Sequence, residues 1–215
     1  MSEAKQFVPG TTTPVKASKG VFRESIESLG VALLIFLVVR TLAFQAFRIP
    51  TSSMEETLLP GDFLFVNKFA YGAQVPFTHH RLPGFTEPKV GDIIVFQFPE
   101  NPSQDYIKRC VAVGGDTVEV KDKAVYVNGV KQDDSFTVHR EPIIQRNPPR
   151  DQMEKIVVPE NHLFMMGDNR DESYDSRYWG TVDMTLVRGK AWITYFSWDK
   201  EKKFPRFGRM FRLIK

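Results

Sequence analysis

Three stretches of the chain carry residue types that could do chemistry together. Ser53, with Met54 directly after it, sits in FRIPTSSMEETLLPGD; Lys108 sits in SQDYIKRCVAV; and GDNRDESYDSRYWG, residues 167–180, supplies carboxylates, a hydroxyl and an arginine. A serine hydroxyl is too weakly acidic to attack an amide at neutral pH unless a base removes its proton. Histidine is the usual base. Here His79, His80, His139 and His162 stand in no triad motif, whereas Lys108 lies in an apolar, strand-like run. An ordinary lysine, with a pKa of about 10.4, is protonated at pH 7 and accepts nothing, so a basic Lys108 must be desolvated. Bringing it to ~8 takes roughly 3 kcal/mol, within what buried lysines show. If residues 105–113 form a strand, Tyr106 and Cys110 share the face of Lys108, and Ile107 and Arg109 face the other way. Taken by itself, Lys108 still reads more readily as a surface residue.

Competing chemistry is weaker. The acidic GDNRDESYD invites a calcium reading, but an EF-hand loop needs Gly at its sixth position and Glu at its twelfth, where Ser173 and Trp179 stand. No metal or cofactor is expected. Cys110 has no histidine near it in sequence and reads as a packed core thiol. As the single cysteine it excludes an intramolecular disulfide and a multi-cysteine zinc site. His79-His80 reads as loop surface, and Trp179-Gly180 as core or membrane-facing. A net charge of +3 with no nucleic-acid motif sets DNA and RNA aside.

The elements that must position these groups begin with an anchor. Residues 29–47, LGVALLIFLVVRTLAFQAF, would rise roughly 28 Å as a helix against a hydrocarbon core of roughly 30 Å. Arg40 interrupts the run and must snorkel or face protein. A cleaved signal peptide is the alternative, since 29–39 has the length of an apolar h-region, but Phe44-Gln45-Ala46 is a poor cleavage site. Lys5, Lys16, Lys19 and Arg23 precede the span and only Arg48 follows closely, which places the N-terminus in the cytoplasm and the remainder outside. Residues 1–28 read as a cytoplasmic tail, the first 20 of them flexible.

Beyond the span, short runs rich in β-branched and aromatic residues recur at 62–69, 90–98, 105–113, 117–121, 124–127, 155–158, 163–166 and 187–196. The domain of residues 48–215 is therefore expected to be mainly β. Asn128-Gly129 between two such runs predicts a type I′ hairpin. Pro-rich segments near 76–88 and 142–149 read as excursions between strands. Residues 200–215 carry seven basic residues and either lie on anionic headgroups or pack on the domain. Composition, 42% apolar and 26% charged over 215 residues, suits one anchor and one globular domain.

IPTSSMEETLLPGD, DYIKRCVAVGGD and GDNRDESYDSRYWG occur in the order of the nucleophile, general-base and Gly-Asp-Asn-Arg-Asp boxes of bacterial type I signal peptidases, which the chain resembles over about residues 29–215. The resemblance implies a membrane-bound serine endopeptidase of the bacterial cytoplasmic membrane. It would have an antiparallel β fold and no metal or cofactor, and would remove signal peptides from exported preproteins after Ala-x-Ala-like sites. Its partners would be preprotein signal peptides and membrane lipid. It also implies roles: Ser53 as nucleophile, Lys108 as general base, Thr51 with the Ser53 backbone N–H as oxyanion hole, Ser173 holding the lysine, and Asp175 with Arg177 as a supporting ion pair beside Asp168. Phe47, Ile49, Pro50, Met54 and Ile107 would line shallow substrate subsites. On this pattern the catalytic core covers about 48–72, 88–116 and 160–200, with an insertion at 117–159. The chain departs from the family at Glu56, where many members have proline, and at Gly114-Gly115-Asp116, in place of a Leu-Pro-Gly-Asp-like turn. Two rivals stand beside this reading: an inactive membrane-anchored domain that binds peptides, and a self-cleaving Ser/Lys repressor-type domain. The first needs a broken dyad, and the second a DNA-binding module that the sequence does not offer.

Overall fold

The computed structural model describes residues 20–74 and 80–214, so His79 and the lysines of the N-terminal tail lie outside the described residues. The chain divides into two compact units, residues 1–37 and 38–215. Helix α1 (Val21–Leu42) opens with an exposed Arg23–Glu27 pair one turn apart, 2.9 Å. Its apolar residues Leu29, Val31, Leu33, Leu34, Ile35, Phe36 and Leu37 are all exposed.

The expected span of residues 29–47 is corrected at its C-terminal end. The helix stops at Leu42, and Phe44–Arg48 forms strand β1, paired antiparallel with β2 (Asp62–Asn67) from Phe44 opposite Asn67 to Arg48 opposite Phe63. Among the described residues, no helix is long and apolar enough to cross a membrane. The physical reason for the misreading is that Phe44, Ala46 and Phe47 are apolar enough to extend a hydropathy window while their backbone completes a sheet edge. The fate of the Arg40 side chain lies outside the described residues.

The rest is mainly antiparallel sheet, as the strand-like runs predict. One sheet runs β1, β2, β11 (Val187–Asp199), β3 (Ile93–Phe98), β4 (Asn101–Val113), β9 (His162–Met166), β10 (Val182–Asp183), with β12 (Phe204–Pro205) and β13 (Arg212–Leu213) added to β11. A separate four-stranded sheet orders β7 (Val130–Lys131), β6 (Ala124–Val127), β5 (Thr117–Lys121) and β8 (Met153–Val157). Its hairpin turns at Asn128 and Gly129, both at positive φ, 52° and 79°, as a type I′ turn requires. Strand β2 buries alternate residues, Leu64 and Val66, with period two, while β3 is buried on both faces as a central strand must be. Residues 200–214 do not lie free. Arg209 pairs with the fully buried Asp62 at 2.6 Å, Arg206 approaches the same carboxylate at 3.8 Å, and β12 and β13 seat the segment on β11. The segment is thus packed on the domain.

Candidate active site

Ser53 lies on the turn between β1 and β2. Its neighbour Met54 is fully buried in an apolar cluster with Ile49, Leu58, Leu64, Val66, Ile93, Val95 and Ala191, and the Leu58 N–H closes a helical turn on the Met54 carbonyl at 2.7 Å. Met54 thus plugs the turn into the core and fixes the serine beside it. From the other side, the Asn169 N–H donates to the Ser53 carbonyl at 3.1 Å.

Lys108 stands mid-strand in β4, opposite Ile94 of β3, and is 4% exposed. Its Nζ lies 2.6 Å from Ser53 Oγ and 5.7 Å from the centre of the Tyr106 ring. The strand alternation holds as expected: Tyr106 and Cys110 belong to one apolar cluster, while Ile107 packs with the cluster that holds Met54. Burial drives the Lys108 pKa down to about 8; Asp175 pulls it back up, Arg177 pushes it down, and Asp168 pulls it up. Cys110 is fully buried, and burial pushes its thiol up to about 12, the inert core thiol the sequence suggests.

Thr51 Oγ1 is 3.4 Å from Ser53 Oγ. A cavity of about 580 Å³ is lined by Pro50, Thr51, Ser53, Gln104, Asp105, Tyr106, Ile107, Lys108, Glu172 and Tyr174. It brings Pro50 and Ile107 to the Ser53–Lys108 pair. Ile49 and Met54 are instead core residues at 3% and 0% exposure, and Phe47 packs against the same cluster behind them. A larger cavity, about 1020 Å³, is bounded by Glu56, Thr57, Arg109, Phe136 and the segment 209–214, and contains neither Ser53 nor Lys108. The smaller one is where chemistry can occur.

The third box packs behind the lysine through two buried ion pairs. Asp175 receives Arg177 Nε and Nη2, both at 2.8 Å, and the Gly167 N–H at 3.1 Å. Burial alone would raise the Asp175 carboxyl, but the Arg177 charge and these hydrogen bonds outweigh it and hold the group below the usual carboxylate range. Arg177 also donates to the carbonyls of Arg150 and Arg170. Asp168 takes Arg109 Nε at 2.8 Å, Arg109 Nη2 at 2.7 Å and the Thr57 hydroxyl at 2.6 Å. Ser173 is buried, close enough to Asp175 to help hold it ionised, but its hydroxyl meets the geometry of no hydrogen bond, to Lys108 or to any other described group.

Sequence reasoning gave no role to Gly167 or Thr57, and placed Tyr106 on the face of Lys108 without marking it as a cavity wall. A Cβ on Gly167 would lie 2.3 Å from Ser173 Oγ and 2.4 Å from the Ser53 carbonyl oxygen. Only glycine lets the third box approach Ser53 so closely. The signal was in view, a glycine opening the acidic box. Glu56 takes φ 70°, a conformation the proline ring forbids. Gly115, at φ 88°, supplies the turn into β5, with the Asp116 N–H bonded to the Val113 carbonyl at 3.0 Å.

A buried serine–lysine pair at the wall of a cavity, on an antiparallel β scaffold, marks a serine-type peptidase. The profile of the family described as "Signal peptidase, peptidase S26" matches residues 22–198, and the chain belongs to that family. It is 37% identical to a signal peptidase I of Pseudomonas aeruginosa, with 83% of this chain and 74% of that one aligned. It is 33% identical to one of Aquifex aeolicus, over 81% of this chain and 84% of the other. A crystal structure of a signal peptidase I from Enterococcus faecalis V583 shares 33% identity, covering 49% of this chain and 97% of that chain at a TM-score of 0.42.

Proposed function

We propose that this serine endopeptidase, which removes signal peptides from preproteins, uses Ser53 as nucleophile and neutral Lys108 as general base. The observation that carries the assignment is the 2.6 Å separation of Lys108 Nζ and Ser53 Oγ, with both side chains buried. In the neutral amine the serine hydroxyl donates to the nitrogen lone pair. Attack on the scissile carbonyl forms the C–O bond as Nζ takes the proton. The resulting ammonium then delivers that proton to the departing amine nitrogen as the C–N bond breaks, leaving an acyl-Ser53. Water, activated by the same amine, releases the signal peptide's new carboxylate and restores the serine. The Ser53 N–H and the Thr51 hydroxyl face the developing oxyanion. Preorganised donors of this kind are typically worth ~3 kcal/mol each.

Asp175–Arg177 and Arg109–Asp168 are the supporting pairs behind the lysine. Pro50 and Ile107 bound the substrate subsite directly, and Ile49, Met54 and Phe47 act on its shape from beneath. The shallow apolar wall favours small residues on the acyl side of the cut, in keeping with an Ala-x-Ala-like site. A metal or cofactor has no part in these steps.

The chain is anchored through residues 29–42, we further propose, with its N-terminus cytoplasmic and its catalytic domain on the outer face of a bacterial cytoplasmic membrane. Residues 29–39 of this helix are apolar on every side, and such a stretch needs a non-aqueous cover. Exposed Trp192, Trp198, Phe204, Phe207, Phe211 and Leu213 offer an apolar face to lipid. The test is cleavage of a preprotein bearing an Ala-x-Ala site by the detergent-solubilised chain and by the chain in bilayers, with the new N-terminus read by mass spectrometry. A cut after the second Ala, faster in bilayers, is expected. Binding of the preprotein without cleavage would replace this reading with the inactive peptide-binding one.

A further inference from the structure

The segment 134–141 lies outside all three boxes, within what the sequence marks as an insertion, yet it touches each of them. The Val138 N–H donates to the Asp168 carbonyl at 2.8 Å, and the Arg170 N–H to the Val138 carbonyl at 3.0 Å. Asp134 pairs with buried Arg170 at 3.3 Å, the Glu141 N–H donates to Asp171 at 2.8 Å, and His139 approaches Asp171 at 3.8 Å. Arg140 pairs with Glu55, two residues past the nucleophile, at 2.6 Å. At its centre the Phe136 ring lies 4.1 Å from the guanidinium carbon of Arg109, the residue after the base.

Arg109 has a specific electrostatic task. Asp168 draws Lys108 toward its charged form, which cannot accept a proton. Arg109, with a side chain only 7% exposed, neutralises that carboxylate through two hydrogen bonds while its Nη1 donates to the Gly91 carbonyl at 2.8 Å. The Phe136 ring lies against the guanidinium of Arg109. A cation over an aromatic face is attracted by the ring quadrupole, more strongly where water is excluded. The other charges facing Lys108 are Asp175 and Arg177 from the third box, with Asp105 and Glu172 on the cavity wall.

We propose that Phe136 is a positioning residue for the reaction: its ring holds the Arg109 guanidinium on Asp168 and so keeps that carboxylate's charge from stabilising the ammonium form of Lys108. This rests on the assignment of Lys108 as base. Phe136 bounds the larger cavity and not the catalytic one, so it acts on the base without touching substrate.

The test uses the full chain in detergent, with wild type, Phe136→Leu and Phe136→Tyr compared in two readouts. Phe136→Leu keeps an apolar side chain but removes the π face; Phe136→Tyr keeps the face. In preprotein cleavage at pH 7, Phe136→Leu is expected to lower kcat about tenfold with KM within about twofold of wild type, and raising the pH recovers most of the loss. Phe136→Tyr stays within about twofold of wild type. In NMR titration of the labelled lysines, the Lys108 signal of Phe136→Leu titrates at higher pH than in wild type. An unchanged Lys108 titration in Phe136→Leu overturns the proposal, as does an equal loss of kcat in the Leu and Tyr variants. Absence of cleavage by wild type would instead strike the functional reading, and the NMR titration would still decide the role of Phe136.

Discussion

Replacing Lys108 by methionine removes the charge while keeping most of the volume, and the structure fixes what should follow in both activity and stability. Burial, the leading cause, brings the Lys108 pKa from 10.5 to about 8. With Lys108 as the proposed base the active species is the neutral amine, so kcat/KM should rise tenfold per pH unit below about 8 and level off above it. At pH 7 about a tenth of the molecules hold a neutral Lys108; an ordinary lysine would leave about one in 3000, so burial is worth roughly 300-fold in rate at that pH. Stability also rises with pH, but in a higher window. The folded pKa lies below the unfolded one, so between about 8 and 10.5 the native state binds fewer protons than the unfolded chain and stability rises with pH. Below pH 8 the buried ammonium costs its full amount, about 3 kcal/mol for a shift of this size. Lys108→Met should therefore be inactive at every pH. It should also be more stable than wild type at pH 7 by as much as about 3 kcal/mol, less what the amine gains from Ser53, and the gain should vanish near pH 10.5. Denaturant titrations of the detergent-solubilised proteins at pH 7 and pH 10.5, beside the wild-type pH–rate profile, provide the assay. A flat profile between pH 6 and 9, or a methionine variant less stable than wild type at pH 7, would refute the reasoning.

Three further outcomes follow from the packing behind the dyad. Gly167→Ala forces a Cβ to 2.3 Å from Ser173 Oγ and 2.4 Å from the Ser53 carbonyl oxygen. Thermal melts should show a loss of about 1–3 kcal/mol, and kinetics a fall in kcat with little change in KM. Asp175→Asn leaves Arg177 as a buried charge with no carboxylate, and should cost about 3–5 kcal/mol of stability. Asp175 also pulls the Lys108 pKa upward, so the acid limb of any surviving activity should move below pH 8; a limb that moves up contradicts this. Thr51→Val should reduce kcat about 100-fold without raising KM, and Thr51→Ser should restore it. A variant with normal kcat would remove Thr51 from the oxyanion hole.

Half-buried strands such as β2 and β5 were legible from alternation, and buried ones such as β3 and β9 from short apolar runs. β5 and β6 coincide with the sequence runs, and the Asn-Gly turn falls where its positive φ values demand. β1 was not legible, since Phe44 to Arg48 continue an apolar run and only pairing with β2 reveals them as a strand. Nor were β10, β12 and β13, each two residues long and held by their partners rather than by propensity. At the site, the pairing of Ser53 with Lys108, 55 residues apart, came from the resemblance of the boxes; the strand alternation around Lys108 came from the residues themselves. The subsite residues were read less well. A sequence motif does not say that Ile49 and Met54 point into the core while Pro50 and Ile107 reach the cavity. Equally hidden was the segment 134–141, whose contacts to all three boxes depend on tertiary pairing that no local pattern encodes.

The most direct test of the central claim is the cleavage of an Ala-x-Ala preprotein by wild type, Ser53→Ala and Lys108→Ala, with folding checked by circular dichroism. The account predicts a single cut by wild type and none by either variant, both of them folded and still able to bind the preprotein. Turnover at the wild-type rate by either folded variant would contradict it.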